Sequence, residues 1–160
     1  MLTMSKVFGA ASAADIAVFE QRHGLVLPDA YRQFLLRHNG GKARDAFFTV
    51  PGWQKSHVSY FYGIGLDGAY NLEDILQQVA YFFPRSLLPI GTDPGGNEIC
   101  LGLSGKATGK VYFWCHEAGE LSDPALTDHH PGLYLLAPDW DTFLACLEEE
   151  PPHDEDMVDS

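Results

Sequence analysis

Residues 19–41 read FEQRHGLVLPDAYRQFLLRHNGG, and this stretch decides the fold of the N-terminal part of the chain. Its first residues finish a helix that we expect to begin at Ser12. There Ser12 and Asp15 have the spacing of a capping box, with Asp in place of Glu. Gly24 is predicted to end this helix, because glycine readily adopts the left-handed backbone of a C-terminal cap.

The same stretch predicts a second helix after Pro28. Tyr31, Phe34 and Leu35 recur at helical spacing and should face the core. Asn39–Gly40–Gly41 is expected to end this helix, because both residue types tolerate a positive φ. The chain therefore starts with two helices in succession.

Beyond Gly41 the pattern becomes that of strands separated by Pro- and Gly-rich turns. One further helix is capped by Asn71 and runs through Leu72–Phe82, and a last one runs from Pro138–Asp139 to Leu147. The predicted strands are 45–50, 57–62, 87–91, 97–103, 110–116 and 133–137. This order predicts an α+β fold with a mostly antiparallel sheet flanked by helices. We expect a lead-in at residues 1–11, one domain at 12–147, and an acidic, disordered tail at 148–160.

The hairpin between residues 97 and 116 allows a register to be predicted. A turn centred near residue 106 places Ile99 opposite Phe113 and Cys100 opposite Tyr112. Cys115 then lies opposite Asn97, too far from Cys100 for a disulfide. Three cysteines without a framework spacing favour free thiols and a reducing compartment.

The charge of the chain is strongly negative and unevenly distributed. Ten Lys and Arg stand against 22 Asp and Glu, for a net charge of −12. Residues 1–147 hold the ten basic and 15 of the acidic side chains, so the predicted domain carries −5 and the tail carries −7. This balance argues against direct binding to nucleic acid or an anionic membrane and favours a basic protein partner. With no visible signal peptide or spanning segment, we expect a cytoplasmic protein.

Several motifs resemble reactive or metal sites but lack the required context. Asp93-Pro-Gly-Gly-Asn-Glu98 resembles a calcium loop, yet a tight turn between strands explains the same residues. His116, Glu117, His129 and His130 lack a zinc-binding spacing. The glycines of residues 63–68 match G-x-G-x-x-G outside a parallel βαβ unit. We therefore predict no cofactor, no metal and no catalytic residues.

Aromatic residues favour a binding function, because exposed Trp and Tyr are enriched at binding hot spots. Trp114 is expected in the core. Trp53 lies in a predicted loop, and its sequence context favours a core position and a surface position equally. Acidic side chains near these rings would suit a basic partner. The candidate partner-binding residues are Trp53, Tyr60, Tyr62, Asp67, Asp93, Glu98 and Glu117.

Three stretches in order resemble the SUKH superfamily, the Smi/Knr-like domain. The first is the E-x-x-H-G-L-x-L-P-x-x-Y-x-x-F-L-L-x-x-N-G-G motif within residues 19–41. The second is L-P-I-G-x-D-x-G-G at residues 88–96, followed by V-Y-x-W-x-H at 111–116. The third is L-A-x-x-W-x-x-F-L at residues 136–144, where Trp140 replaces the usual Phe.

The resemblance implies an α+β fold and a binding function without catalytic residues. Many bacterial members of this superfamily are immunity proteins that neutralise a cognate polymorphic toxin, often a nuclease, and fungal members are signalling scaffolds. The leading expectation is an immunity protein with a basic toxin domain as its partner. The alternatives are a scaffold or regulator with a non-toxin partner and, more remotely, a metal-dependent enzyme using His116 and Asp93.

Overall fold

The two predicted N-terminal helices are present, and the first has the predicted caps. Helix α1 is Ala13–His23, and Ser12 and Asp15 form the full capping box in front of it. Gly24 follows in the left-handed conformation, with φ 63°. Helix α2 is Asp29–Arg37 and buries Tyr31, Phe34 and Leu35, as predicted.

The structure, a computed structural model, describes residues 2–80, 83–118 and 132–149. The other helices in these ranges are α3 Leu72–Val79 and α4 Trp140–Ala145, with 3-10 turns at Gly68–Tyr70, Gly105–Ala107 and His116–Ala118. The strands are β1 Met4–Val7, β2 Gly41–Ala43, β3 Phe47–Thr49, β4 Lys55–His57, β5 Tyr60–Phe61, β6 Leu87–Thr92, β7 Glu98–Gly102, β8 Val111–Trp114 and β9 Leu133–Ala137. Seven strands form one sheet in the order β1-β2-β5-β6-β7-β8-β9, and β3 and β4 form a separate hairpin. Every pairing between these described strands is antiparallel, which confirms the predicted α+β class.

The β7–β8 hairpin has the predicted register. Ile99 pairs with Phe113, and Cys100 pairs with Tyr112. The three cysteines are free thiols, also as predicted. Cys100 is fully buried, and its burial raises the pKa of the thiol well above the usual value.

Aromatic side chains form the core on one face of the sheet. Phe61 of β5 meets Phe34 of α2 at 5.3 Å between ring centroids and Trp140 of α4 at 6.3 Å. Phe113 of β8 packs against Phe48 of β3 on the same face. Its neighbour Trp114 points to the opposite face, because successive strand residues alternate. There Trp114 is buried and meets Phe83 at 4.9 Å, so the prediction that Trp114 is a core residue is confirmed.

The predicted strand at residues 57–62 is divided in the structure. Val58 donates its backbone N–H to Ala46, beside β3, whereas Ser59 donates to Thr92 of β6. The chain therefore changes sheets between these two residues and forms β4 and then β5. No periodicity within the segment reveals such a change, because both halves carry strand-like residues.

Several element ends differ from the predicted ones. Strand β1 lies within residues 1–11, where the sequence predicted no element, and it pairs with β2. Helix α3 starts after Asn71 as predicted, but the Asn71 side chain makes no capping hydrogen bond to the backbone. The helix ends at Val79, and the predicted end at residue 82 lies outside the described residues. Most of the predicted tail, residues 150–160, also lies outside them, while Glu148 pairs through its backbone with Phe47.

Asn39 joins the end of α2 to the loop that follows β5. Its side-chain amide donates to the Ile64 carbonyl and accepts from the Ile64 N–H, both at 2.8 Å. The neighbouring backbones are so close that a Cβ on Gly63 would lie 2.7 Å from the Asn39 carbonyl oxygen. The sequence predicted only a helix end at this position, but Asn39 is a buried connection between two segments.

We predict that Asn39→Ala lowers the free energy of unfolding by about 2–4 kcal/mol, because two buried backbone groups of Ile64 lose their partner. The measurement is chemical denaturation followed by circular dichroism. Gln78→Ala is the matched control, since Gln78 is an exposed amide side chain on α3. Equal midpoints for the Asn39 variant and the unmodified protein would contradict the clamping role of Asn39.

Candidate partner-binding surface

Tyr60 and Glu98 lie in one row across the sheet, on the face to which Trp114 points. Tyr60 pairs with Thr92, Thr92 pairs with Glu98, and Glu98 pairs with Trp114. Directly opposed residues of an antiparallel pair project to the same side. The sheet therefore brings together two predicted partner-binding residues that are 38 positions apart in the sequence.

The Tyr62 hydroxyl and the Glu98 carboxylate form the polar centre of this face. The hydroxyl lies 3.0 Å from Glu98 Oε1 and 2.8 Å from Oε2, so it donates to the carboxylate. Tyr62 is only 2% exposed, so the packing around its ring fixes the position of the hydroxyl. We call Tyr60, Tyr62 and Glu98 the tyrosine–carboxylate site.

Burial raises the pKa of Glu98 to about 8, and the negative charge of Asp93 acts in the same direction. The hydrogen bond from Tyr62 opposes the shift because it stabilises the ionised form, but it does not overcome the loss of solvent. Burial also raises the pKa of Tyr62, and the nearby Glu98 charge adds to that rise. Near neutral pH Glu98 is thus largely protonated.

A ledge of aromatic rings extends from Tyr60 away from the carboxylate. The Tyr60 ring lies 5.7 Å from the Tyr62 ring and 4.8 Å from the Tyr70 ring. Tyr70 in turn lies 4.2 Å from Phe8, and the Lys6 ammonium lies 5.9 Å above the Phe8 ring. Tyr70 and Phe8 were not among the predicted residues, because their approach to Tyr60 depends on the path of the 63–71 loop and of the chain around β1.

Asp67 and Glu117 are exposed carboxylates on two separate turns. Asp67 precedes the 3-10 turn at Gly68–Tyr70. Glu117 belongs to the turn that follows β8. Both are available to a partner, but neither contributes to the polar centre formed by Tyr62 and Glu98.

Asp93 closes the turn between β6 and β7. Its Oδ1 accepts from the backbone N–H groups of Gly95 at 3.0 Å and Asn97 at 2.8 Å. Its Oδ2 accepts from the Asn97 side chain at 3.0 Å and the Ser56 hydroxyl at 2.8 Å. Asp93 is 6% exposed, and these protein donors use its oxygens as a tight turn requires. This predicted partner-binding residue therefore offers little surface to a partner.

His116 is tied to the same turn. Its backbone N–H and its ring Nδ1 lie 3.1 and 2.7 Å from Asn97 Oδ1, so Nδ1 acts as the donor to this amide oxygen. Within the described ranges, no three His, Cys, Asp or Glu side chains are grouped so that they could hold a metal ion. The candidate zinc ligands His129 and His130 lie outside these ranges.

Trp53 lies on the other face of the sheet. It occupies the turn between β3 and β4, is 43% exposed, and meets the Phe113 ring at 5.3 Å. Its ring is also nearly parallel to that of Tyr134, at 11° and 6.4 Å. Phe113 and Trp114 point to opposite faces, so Trp53 is separated from the tyrosine–carboxylate site by the sheet.

Two grooves between helices were not predicted. One of 990 Å³ lies between α1 and α3, with Leu76, Val79 and Phe83 in its lining and the 72% exposed Val26 at its edge. The other, of 760 Å³, lies between α2 and α4. Helix amphipathicity shows which side of each helix is apolar, but not how far apart two helices pack.

We predict that Glu98 makes the fold less stable as pH rises. Its folded pKa, about 8, lies above the ordinary value of 4.5, so its protonated form is favoured in the fold. The free energy of unfolding should therefore fall from about pH 5 to about pH 9, by roughly 2 kcal/mol or more relative to Glu98→Gln. Urea denaturation across this pH range measures the difference. Glu149→Gln, at an exposed carboxylate, is the matched control for loss of one carboxyl group, and parallel curves for Glu98→Gln and the unmodified protein would contradict the buried-carboxyl assignment.

Comparison with known proteins agrees with this architecture. Residues 10–146 match the model of the SMI1 / KNR4 family (SUKH-1). The chain is also 34% identical over 150 residues to the SPbeta prophage-derived uncharacterized protein YokK of Bacillus subtilis (strain 168), over 82% of this chain and 72% of that protein. Among the described residues, no helix has the length and apolar character needed to cross a membrane. With a family match over most of its length, the chain belongs to the SMI1 / KNR4 family (SUKH-1).

Proposed function

We propose that this protein is an immunity protein that binds and neutralises a cognate toxin in the cytoplasm. The observation that carries the proposal is membership of SUKH-1 across residues 10–146, a family commonly of the immunity type. The partner is a protein domain with a basic surface, as a nuclease that binds nucleic acid would have. Neutralisation then follows from occupying that surface.

The charge of the chain supports a basic partner. A net charge of −12 attracts a positively charged domain from a distance and speeds its encounter with the protein. The exposed carboxylates Asp67 and Glu117 extend this negative surface over two turns. The partially exposed Trp53 adds a rigid aromatic contact of the kind found at binding hot spots.

The burial of Cys100 supports a function in which this thiol takes no part in catalysis. A reactive cysteine needs an accessible thiolate, whereas Cys100 is buried with a raised pKa. The Asp93 carboxylate and His116 Nδ1, the candidate groups of a metal-dependent enzyme, are used in hydrogen bonds that close the β6–β7 turn. Within the described ranges both groups therefore stabilise the β6–β7 turn.

The proposal is tested by co-expression with the product of the adjacent gene. We expect that product alone to arrest growth, the present protein to restore growth, and the two to co-purify as a complex. Rescue without a complex would overturn neutralisation by binding. An adjacent product that is harmless and still forms a complex would favour the scaffold function instead.

We predict that association with the toxin slows at least about tenfold between about 50 and about 500 mM salt, because screening removes long-range steering. Stopped-flow mixing measures the rate. Sucrose at matched viscosity controls for slower diffusion. An association rate that does not change with salt would remove the electrostatic part of the proposal.

We also predict that Trp53→Ala raises the dissociation constant for the toxin at least about tenfold, as loss of a hot-spot aromatic does. Calorimetry with the purified toxin measures the constant. Val18→Ala, at a 51% exposed position on α1, is the control for loss of exposed apolar surface. Equal affinities for the two variants would show that Trp53 is not an anchor.

A further inference from the structure

Glu98 is a largely buried carboxyl group, and no Lys or Arg side chain in the described ranges forms an ion pair with it. All ten Lys and Arg side chains of the chain fall within the described ranges. Among the ion pairs between described residues, Arg22, His23, Arg32 and Lys55 each pair with another carboxylate, and none of these pairs involves Glu98. Buried carboxylates are normally paired with a cation, because burial of an isolated charge is costly.

Among the described side chains, only the Tyr62 hydroxyl donates to Glu98, which leaves acceptor capacity unused. The Tyr62 hydroxyl has a single proton, which it shares between two oxygens at 3.0 and 2.8 Å. In its ionised form a carboxylate has about four acceptor positions, so free lone pairs remain on both oxygens once Glu98 loses its proton. A guanidinium or ammonium group is the chemistry that would use them.

The surroundings of Glu98 favour a positive group over a negative or neutral one. The ionisable groups that act on it or respond to its charge are Tyr60 and Tyr62 beside β6, Asp93 in the β6–β7 turn, and Cys100 on β7. Each of these is neutral or negative. Glu98 is still partly accessible, whereas Tyr62 is almost fully buried.

The aromatic ledge gives a route for the aliphatic part of such a side chain. Tyr60 is half-buried and stands beside both Tyr62 and Tyr70. Aromatic faces attract a cation within about 6 Å of the ring centroid. The ledge already holds one cation in this way, since the Lys6 ammonium lies 5.9 Å from the Phe8 ring.

We propose that the tyrosine–carboxylate site of Tyr60, Tyr62 and Glu98 is a receptor for one cationic side chain, arginine or lysine, of the protein partner. This inference rests on the proposed function, because it names the group through which a basic toxin is recognised. On entry of the cation, Glu98 releases its proton to solvent and accepts hydrogen bonds from the incoming group. Tyr62 keeps its hydrogen bond, and Tyr60 packs against the aliphatic stem.

The first test needs no toxin. N-acetyl-arginine amide is titrated into the full-length protein, and the Glu98 side-chain carboxyl carbon is followed by NMR. We expect a saturable shift and an apparent affinity about tenfold higher at about pH 9 than at about pH 7, because Glu98 ionises between these values while arginine stays charged. N-acetyl-citrulline amide, which has nearly the same shape and no charge, should give no saturable shift.

Two variants make this titration decisive. Glu98→Gln keeps an acceptor for Tyr62 but removes the charge, so it should lose the saturable response, read from the Tyr62 ring signals. Glu149→Gln, at an exposed carboxylate, should keep it. A response that is equal for citrulline, independent of pH, or retained in Glu98→Gln would overturn the receptor assignment. Calcium chloride that produces the same shift at matched ionic strength would assign the site to a divalent ion and overturn it too.

The second test separates this inference from the proposed function. With the purified toxin, Glu98→Gln should weaken binding at least about tenfold while Glu149→Gln leaves it unchanged, as expected when a buried charge pair loses one partner. Unchanged toxin affinity in Glu98→Gln would overturn the receptor and leave immunity intact. A positive arginine titration with no rescue of growth would overturn immunity and leave a cation receptor for another partner.

Discussion

The side-chain amide of Asn39 holds two distant parts of the chain together, and the position of the candidate site depends on it. It satisfies both backbone groups of Ile64, just after the segment that carries Tyr60 and Tyr62. The close approach of Gly63 to Asn39 leaves no room for a side chain at that glycine. With this loop fixed, β5 aligns with β6, and the Tyr62 hydroxyl reaches Glu98. A buried amide thus positions a buried carboxylate.

Burial of the Glu98 carboxyl group beside Tyr62 lowers the stability of the fold. A group that destabilises the fold is more readily explained by a role in binding. A glutamine at position 98 would accept the same hydrogen bond from Tyr62 without the free energy that burial of a carboxylate requires. The raised pKa of Glu98 reflects this free-energy cost of burying the ionised form. Ionisable groups held against their preferred state are concentrated at functional sites. The presence of an ionisable carboxyl group at position 98, where a glutamine would pack equally well, therefore supports the proposed binding role of Glu98.

The parts of the structure that could be predicted from the sequence are those determined by local interactions. The capping box of Ser12 and Asp15, the stop at Gly24, and the pairing of Ile99 with Phe113 depend on residues close together in the chain or joined by one turn. The exchange of partners between Val58 and Ser59 depends on strands far away in sequence, so its residues gave no sign of it. For the same reason Tyr60 and Glu98 were singled out individually, while their shared row and the ledge through Tyr70 were not.

The placement of the candidate residues on two faces limits how a partner can engage them. Trp53 packs over Phe113, whereas Glu98 lies in the row of Trp114, so the sheet separates the exposed indole from the buried carboxyl. A partner with one flat surface can contact only one of them, and a partner that contacts both must reach around the sheet. Net charge and the buried carboxyl also act at different stages of binding. The charge of the whole chain governs the approach of a basic domain from any direction, whereas a desolvated pair with Glu98 governs how slowly one particular orientation dissociates. In the proposed complex, selectivity among basic partners comes from the side chain that reaches Glu98, because the overall charge attracts all of them alike.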